Sequence, residues 1–178
     1  MGREAVIAPG VEIRPERRAD REAVHTVHAR AFGRRDEADL VDALRGRVDP
    51  SVSLVAVEAG TLVGHVFFSP VRIEGDGCES RAIALAPLAV LPEQQRHGIG
   101  SRLVEAGLRA CHELHEDVVF VLGHPTYYPR FGFAPAGERG LHYRDVSFDS
   151  AFMLIELAPD ALGGRTGWVR YDETFERF

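Results

Sequence analysis

Residues 94–101 read Gln-Gln-Arg-His-Gly-Ile-Gly-Ser, at the junction between an apolar run and an amphipathic one. Two glycines one residue apart, beside Arg96, His97 and Ser101, are residue types suited to holding an anion. Glycines let a ligand approach the main chain closely. Amides at the head of a helix are unpaired and carry partial positive charge. A strand, a glycine loop and a helix in that order make a phosphate site, with Arg96 and His97 able to add charge at its rim. No Gly-Lys-Ser/Thr follows, so the segment is not a Walker loop. The third glycine of a dinucleotide fingerprint is also missing. The same glycines equally suit a plain turn into a helix.

Such a site requires a strand before the loop and a helix after it. Residues 82–91, Ala-Ile-Ala-Leu-Ala-Pro-Leu-Ala-Val-Leu, are apolar enough for a strand buried on both faces. Pro87 cannot donate to a ladder and marks a bulge or an unpaired stretch within it. Leu103, Val104, Leu108, Cys111 and Leu114 recur at helical spacing on the far side. Upstream, residues 11–14 alternate as a short strand that Pro15 ends. Asp20 can cap a helix carrying Val24, Val27 and Ala31, and a second helix spans about Glu37 to Arg45 with Leu40, Val41 and Leu44 on one side. Strands are expected at 52–58 and 61–71, joined by Ala59-Gly60, then a turn at Glu74-Gly75-Asp76-Gly77. Downstream, a strand at 118–122 ends at Gly123-His124-Pro125. The aromatic run Pro-Thr-Tyr-Tyr-Pro-Arg-Phe-Gly-Phe and a strand at 151–157 follow. The last twenty residues read as an extension packed on the rest, with Trp168 as its anchor. Strands first, then strand–helix–strand, predict a mixed α/β or α+β sheet in one domain.

The chain has 178 residues and a formal charge of −6 with no basic block, which argues against nucleic acid as the main partner. No apolar run approaches the ~20 residues that span a bilayer, and no signal peptide is evident. With two cysteines, Cys78 and Cys111, in neither metal nor secreted spacing, the expected setting is the cytoplasm. Cys111, His112 and His115 lie close on the predicted helix, but with no fourth ligand they read as a buried cysteine beside solvated histidines rather than a metal site. His25 and His28 read the same way. The pairs Arg17-Arg18 and Arg34-Arg35 read as solvated faces.

Gln95-Arg96-His97-Gly98-Ile99-Gly100 resembles the Gln/Arg-x-x-Gly-x-Gly/Ala motif of the GCN5-related N-acetyltransferases, the GNAT superfamily. Leu88-Ala-Val-Leu-Pro, Gly64-His-Val-Phe-Phe-Ser-Pro-Val and residues 121–133 resemble a bacterial subgroup of it, the YhbS-like predicted acetyltransferases. The resemblance runs from about residue 11 to 157 and reaches into the tail. It implies the GNAT acyl-CoA N-acyltransferase fold: a central, mostly antiparallel sheet, flanked by helices, with the fourth and fifth strands splayed. It implies transfer of an acetyl group from acetyl-CoA to a primary amine of a small molecule, peptide or protein, with coenzyme A released.

By motif position, Gln95, Arg96, His97, Gly98, Ile99, Gly100 and Ser101 would hold the pyrophosphate. Leu88, Val90 and Leu91 would lend backbone groups to the pantetheine arm, and an N–H near Val90 would bind the developing oxyanion. Tyr128, four residues before Gly132, takes the general-acid position, with Tyr127 as fallback. A phenol stays protonated at neutral pH and can hydrogen-bond a departing thiolate. A tyrosine beside Phe131 and Phe133 also suits packing, and Pro129 steers Tyr128 away from helical geometry. Candidate bases are His65, Glu58 and His124, and His65 equally suits a hydrogen-bonded core histidine. A non-catalytic acyl-CoA sensor and a transferase of longer acyl chains keep the same loop. Homodimers are common in the superfamily.

Overall fold

The protein was analysed as a computed structural model that describes residues 10–75 and 78–178. Nine strands and three helices occur among these residues: β1 (Val11–Pro15), α1 (Arg21–Phe32), α2 (Asp36–Leu44), β2 (Val52–Glu58), β3 (Thr61–Gly75), β4 (Cys78–Val90), α3 (Ile99–Glu113), β5 (Val118–Leu122), β6 (Ala134–Pro135), β7 (Leu141–Tyr143), β8 (Phe152–Glu156) and β9 (Gly167–Arg170). They form one sheet in the order β1-β2-β3-β4-β5-β8-β6, with β9 pairing both β3 and β7. Only β4–β5 and β7–β9 are parallel. The sheet is therefore mixed and mostly antiparallel, as expected.

Alternation along β3 decides which helix covers which face. Gly64 and Phe68 face α3: a Cβ on Gly64 would meet Leu103 and Ile99, and the Phe68 ring lies against Gly107. His65 and Phe67 point the other way, Phe67 into a cluster with Val24, Val41 and Leu44 of α1 and α2. Helix α3 thus covers one face, and α1 with α2 covers the other.

Several elements differ from expectation. The β3–β4 hairpin extends beyond the apolar runs, because Arg72↔Arg81 and Glu74↔Glu79 continue the ladder with polar side chains. The predicted turn lies partly at 76–77, outside the described residues. Asp20 stands at the N-cap of α1 without capping it. Its carboxylate instead accepts from the Arg14 guanidinium and the Arg17 amide, which hold it well below the usual carboxylate range, at about 2. Helix α3 ends at Glu113, so Leu114 leaves the apolar stripe and is 47% exposed. The tail is anchored by main-chain pairing of β9 with β3 where β2 has ended, rather than by Trp168, which is partly exposed.

The closest helix–sheet contact is at Gly107, where a Cβ would lie 2.2 Å from the Phe68 ring. Alanine gains about 1 kcal/mol in helix propensity over glycine, but overpacking a rigid core costs about 1–3 kcal/mol. Gly107→Ala should therefore lower the denaturant midpoint, and an unchanged or raised midpoint would show that α3 stands off the sheet.

Candidate active site

The site begins with a defect in the β3–β4 ladder. Phe68 pairs with Leu85 and Val66 pairs with Leu88, so Ala86 and Pro87 together oppose Phe67. This is the bulge that Pro87 foretold, placed where the missing N–H does least harm. On its other edge, β4 pairs with β5 only at Ile83↔Val119, Ala84↔Phe120 and Leu85↔Val121. Past the bulge the two strands part.

The main-chain consequence follows from ladder alternation. The Leu91 amide donates to the Val63 carbonyl at 2.9 Å, so Val63–Leu91 and His65–Ala89 are the hydrogen-bonded pairs. Gly64–Val90 and Val66–Leu88 are the non-bonded ones. Leu88 and Val90 therefore turn their N–H and C=O groups away from β3, into the gap β5 has left. The Val90 carbonyl accepts from Gln95 Nε2 at 3.0 Å. The Val90 amide and both groups of Leu88 face the gap. Leu91, expected to contribute, is committed: its N–H goes to Val63 and its carbonyl accepts from Gln94.

Beside this gap lies the glycine loop. Arg96 and Gly98 adopt left-handed backbone, with φ of 66° and 82°, which turns the chain sharply into α3. Gly98 is the N-cap and no side chain caps the helix. The first helical bond runs from the Arg102 amide to the Gly98 carbonyl, so the amides of Gly98, Ile99, Gly100 and Ser101 keep their hydrogens for another partner. A cleft of about 500 Å³ opens over them, walled by Leu88, Val90, Arg96, Gly100, Tyr127 and Arg130 among others. A Cβ at Gly100 would sit 3.0 Å from the Tyr127 hydroxyl, whereas one at Gly98 would meet nothing within 4 Å. A side chain at Gly100 would thus crowd the Tyr127 hydroxyl, whereas Gly98 is favoured by its backbone conformation. The Ile99 side chain is buried in the core and the His97 side chain is exposed outside the cleft wall, so only their main-chain groups can serve it.

Arg130 was not anticipated. Its Nε donates to the Tyr127 carbonyl at 2.9 Å and its guanidinium lies 4.6 Å from the Tyr127 ring centre. This puts a second cation, with Arg96, on the same cleft. Its signal was its place between the two aromatic pairs of the 127–133 segment, which had been read for tyrosines alone.

A second cavity, of about 560 Å³, lies back to back with the first and shares Leu88 and Tyr127 with it. Its floor is the bulge and the end of β5. Phe32, Glu37 and Leu40 from the first two helices line it, as do Tyr143, Tyr171 and Phe175. Tyr128 lines this cavity. It opens a short 3-10 turn with Pro129 in the first turn, so the proline shapes the segment without breaking it. The Tyr128 ring packs against Gly123 and lies 5.7 Å from Phe133. Burial raises its phenol further above the usual range. The Tyr127 hydroxyl reaches Ser101 Oγ at 3.4 Å, over the helix head.

Of the three candidate bases, His124 alone lines either cavity. His65 is fully buried with both ring nitrogens engaged: Nδ1 lies 2.8 Å from His28 Nε2, and Nε2 lies 2.9 Å from Ser53 Oγ. Ser53 donates to Glu16, which is ion-paired with Arg45. That order fixes the protons. Ionised Glu16 accepts from Ser53, Ser53 from His65 Nε2–H, and His65 Nδ1 from His28 Nε2–H. His28, expected to be solvated, is wholly buried beside it. Cys111 is buried with its thiol pushed up to about 12, and His112 pairs with Asp117.

Residues 12–136 match the family model for an acetyltransferase (GNAT) domain. The chain belongs to the GNAT family of acetyltransferases. It is 38% identical over 167 residues, 93% of this chain and 99% of the relative, to the uncharacterized N-acetyltransferase YhbS of Escherichia coli K12. It is 42% identical over 126 residues, 69% of this chain and 70% of the relative, to YjhQ of the same strain. Among solved structures, YhbS from E. coli in complex with CoA superposes with a TM-score of 0.87 at 37% identity, covering 95% of this chain and 93% of that one. A GNAT acetyltransferase from Brucella melitensis in complex with acetyl-CoA gives 0.75 at 33% identity, covering 93% and 97%. This GNAT protein is an acyltransferase, and its sheet has the family fold.

The buried histidines give the GNAT core a definite pH response. Burial, then the neighbouring charges of His65 and Arg45, depress His28 to about 2 against the pull of Glu16. Burial likewise lowers His65. Glu16 is lowered to about 2 because its bonds to His65, Ser53 and Arg45 outweigh its burial. Each group binds its proton at higher pH in the unfolded chain, near 6.5 for histidine. The stabilisation is therefore complete above about pH 6.5 and drains away as pH falls, first through the histidines and then through Glu16. The melting temperature should decline from about pH 7 to about pH 5, less steeply in His28→Asn. A flat profile would mean that the pair is hydrated or charged.

Proposed function

We propose that this protein transfers an acetyl group from acetyl-CoA to a primary amine, with the thioester threaded through the gap between β4 and β5. The observation that carries this reading is the opening of the uncapped α3 amides, the Leu88 main-chain groups and the Val90 amide into one cleft, with a second cavity directly behind it. The residues fit the cofactor. Four free amides with Arg96 and Arg130 suit a diphosphate. The strand-edge groups suit the amides of a pantetheine arm, and Gly100 leaves the room that a side chain would fill. The CoA and acetyl-CoA complexes of the two similar structures support the same placement.

In this reading the amine nitrogen, entering from the second cavity, attacks the acetyl carbonyl. The Val90 N–H stabilises charge on its oxygen, the carbon–sulfur bond breaks, and Tyr128 supplies a hydrogen bond and a proton to the sulfur. Burial keeps the Tyr128 phenol protonated, which suits an acid. His124 is placed to receive the amine's proton. Residues 158–178 form part of the same single domain.

Calorimetry with acetyl-CoA should show saturable binding. Gly100→Val should weaken it more than about tenfold, because the new side chain meets the Tyr127 hydroxyl. Tyr128→Phe should keep acetyl-CoA affinity while lowering kcat by about 10²-fold or more. Absence of acetyl-CoA binding by the native protein would remove the assignment. Full turnover by Tyr128→Phe would pass the acid role to Tyr127.

A further inference from the structure

The cavity behind the strand gap has a chemistry that selects among amines. Its walls are mostly carbon, and much of that carbon is aromatic. Tyr143 and Tyr171 lie 5.0 Å apart between ring centres, Tyr171 and Phe175 lie 4.9 Å apart, and Phe32 at the end of α1 also lines the cavity. Tyr171 is held with its hydroxyl buried and without a hydrogen-bond partner.

Charge is scarce. Among the described residues Glu37 is the one carboxylate that lines the cavity, and the Arg34 guanidinium already binds both of its oxygens.

Resting on the reading of this cleft as the acceptor side of an acetyltransferase, we infer that the acceptor is a small primary monoamine carried on an aromatic or branched aliphatic body. The body lies against Tyr143, Tyr171 and Phe175. The amine points back toward Tyr128 and the bulge, where the gap leads to the other cavity and where the tyrosine faces tolerate one positive charge. A polycation would need several free carboxylates, which the walls do not offer. The selective residues lie outside the family-model match, which ends at residue 136. Acceptor choice therefore belongs to β7 and the C-terminal segment, not to the part of the chain that binds the cofactor.

The test is acetyl-CoA consumption by the full chain with 2-phenylethylamine and isoamylamine, against spermidine and a lysine-containing peptide. At least one of the two monoamines should exceed both cationic competitors in kcat/KM by about tenfold or more. Phe175→Ala, and separately Tyr171→Leu, should raise the monoamine KM about tenfold while the acetyl-CoA dissociation constant stays within about twofold, which also certifies folding. Preference for spermidine or the peptide would overturn the inference. So would acetyl-CoA binding without turnover of either monoamine, or tail variants with unchanged KM. Loss of acetyl-CoA binding by the native protein is a different failure, that of the cofactor reading itself.

Discussion

The structure depends on a ladder that is deliberately left unfinished. Buried main-chain groups ordinarily pair, because an orphaned N–H or C=O in a core costs as much as a lost hydrogen bond. Here β4 satisfies β5 for three register positions and then withdraws from it, after two residues, Ala86 and Pro87, have been set against the single Phe67. The polar groups of Leu88 and Val90 turn into the gap, and in the proposed reading they serve the ligand without any special side chain. That explains why so apolar a strand can sit at the centre of an acyltransferase. Its chemistry resides in the main chain, and its side chains are free to be core.

The same economy governs the helix head. Helix α3 begins directly after left-handed turns at Arg96 and Gly98 and carries no capping side chain. A serine or aspartate at the N-cap would stabilise the helix by about 1 kcal/mol and would occupy the amides. The tight seat of α3 on the sheet at Gly107 and Gly64 holds the helix in place instead. Packing thus substitutes for capping, and the amides stay open. The buried chain from Glu16 through Ser53 and His65 to His28 lies on the opposite face, under α1 and α2. It lines neither cavity, and its role is to lock β1, β2, β3 and α1 together.

Much of this was legible in the sequence because local signals carried it. Pro87 announced the bulge, the paired glycines announced the helix head, and the order of apolar runs announced the sheet. What escaped depended on contacts between distant segments. The tail's route was hidden because β9 is four residues long and pairs with β3 across about a hundred residues of chain. Tyr143, Tyr171 and Phe175 meet only once that pairing is made. His28 was misread as solvated because its partner, His65, is 37 residues away. A histidine on a helix looks the same in sequence whether it faces water or another histidine. Leu91 was misassigned for a finer reason: which strand residues face a gap depends on ladder parity, and a bulge shifts parity by one.

The central claim is that Leu88 and Val90 offer main-chain groups to a ligand while Ala89 between them does not. Amide hydrogen exchange resolved by residue tests it directly, in the free protein and with saturating CoA. The account predicts slow exchange at Ala89 throughout, and faster exchange at Leu88, Val90 and Gly98 to Ser101 that slows on CoA addition. Protection of Leu88 and Val90 equal to that of Ala89 in the free protein would mean that the strands are closed, and would contradict it.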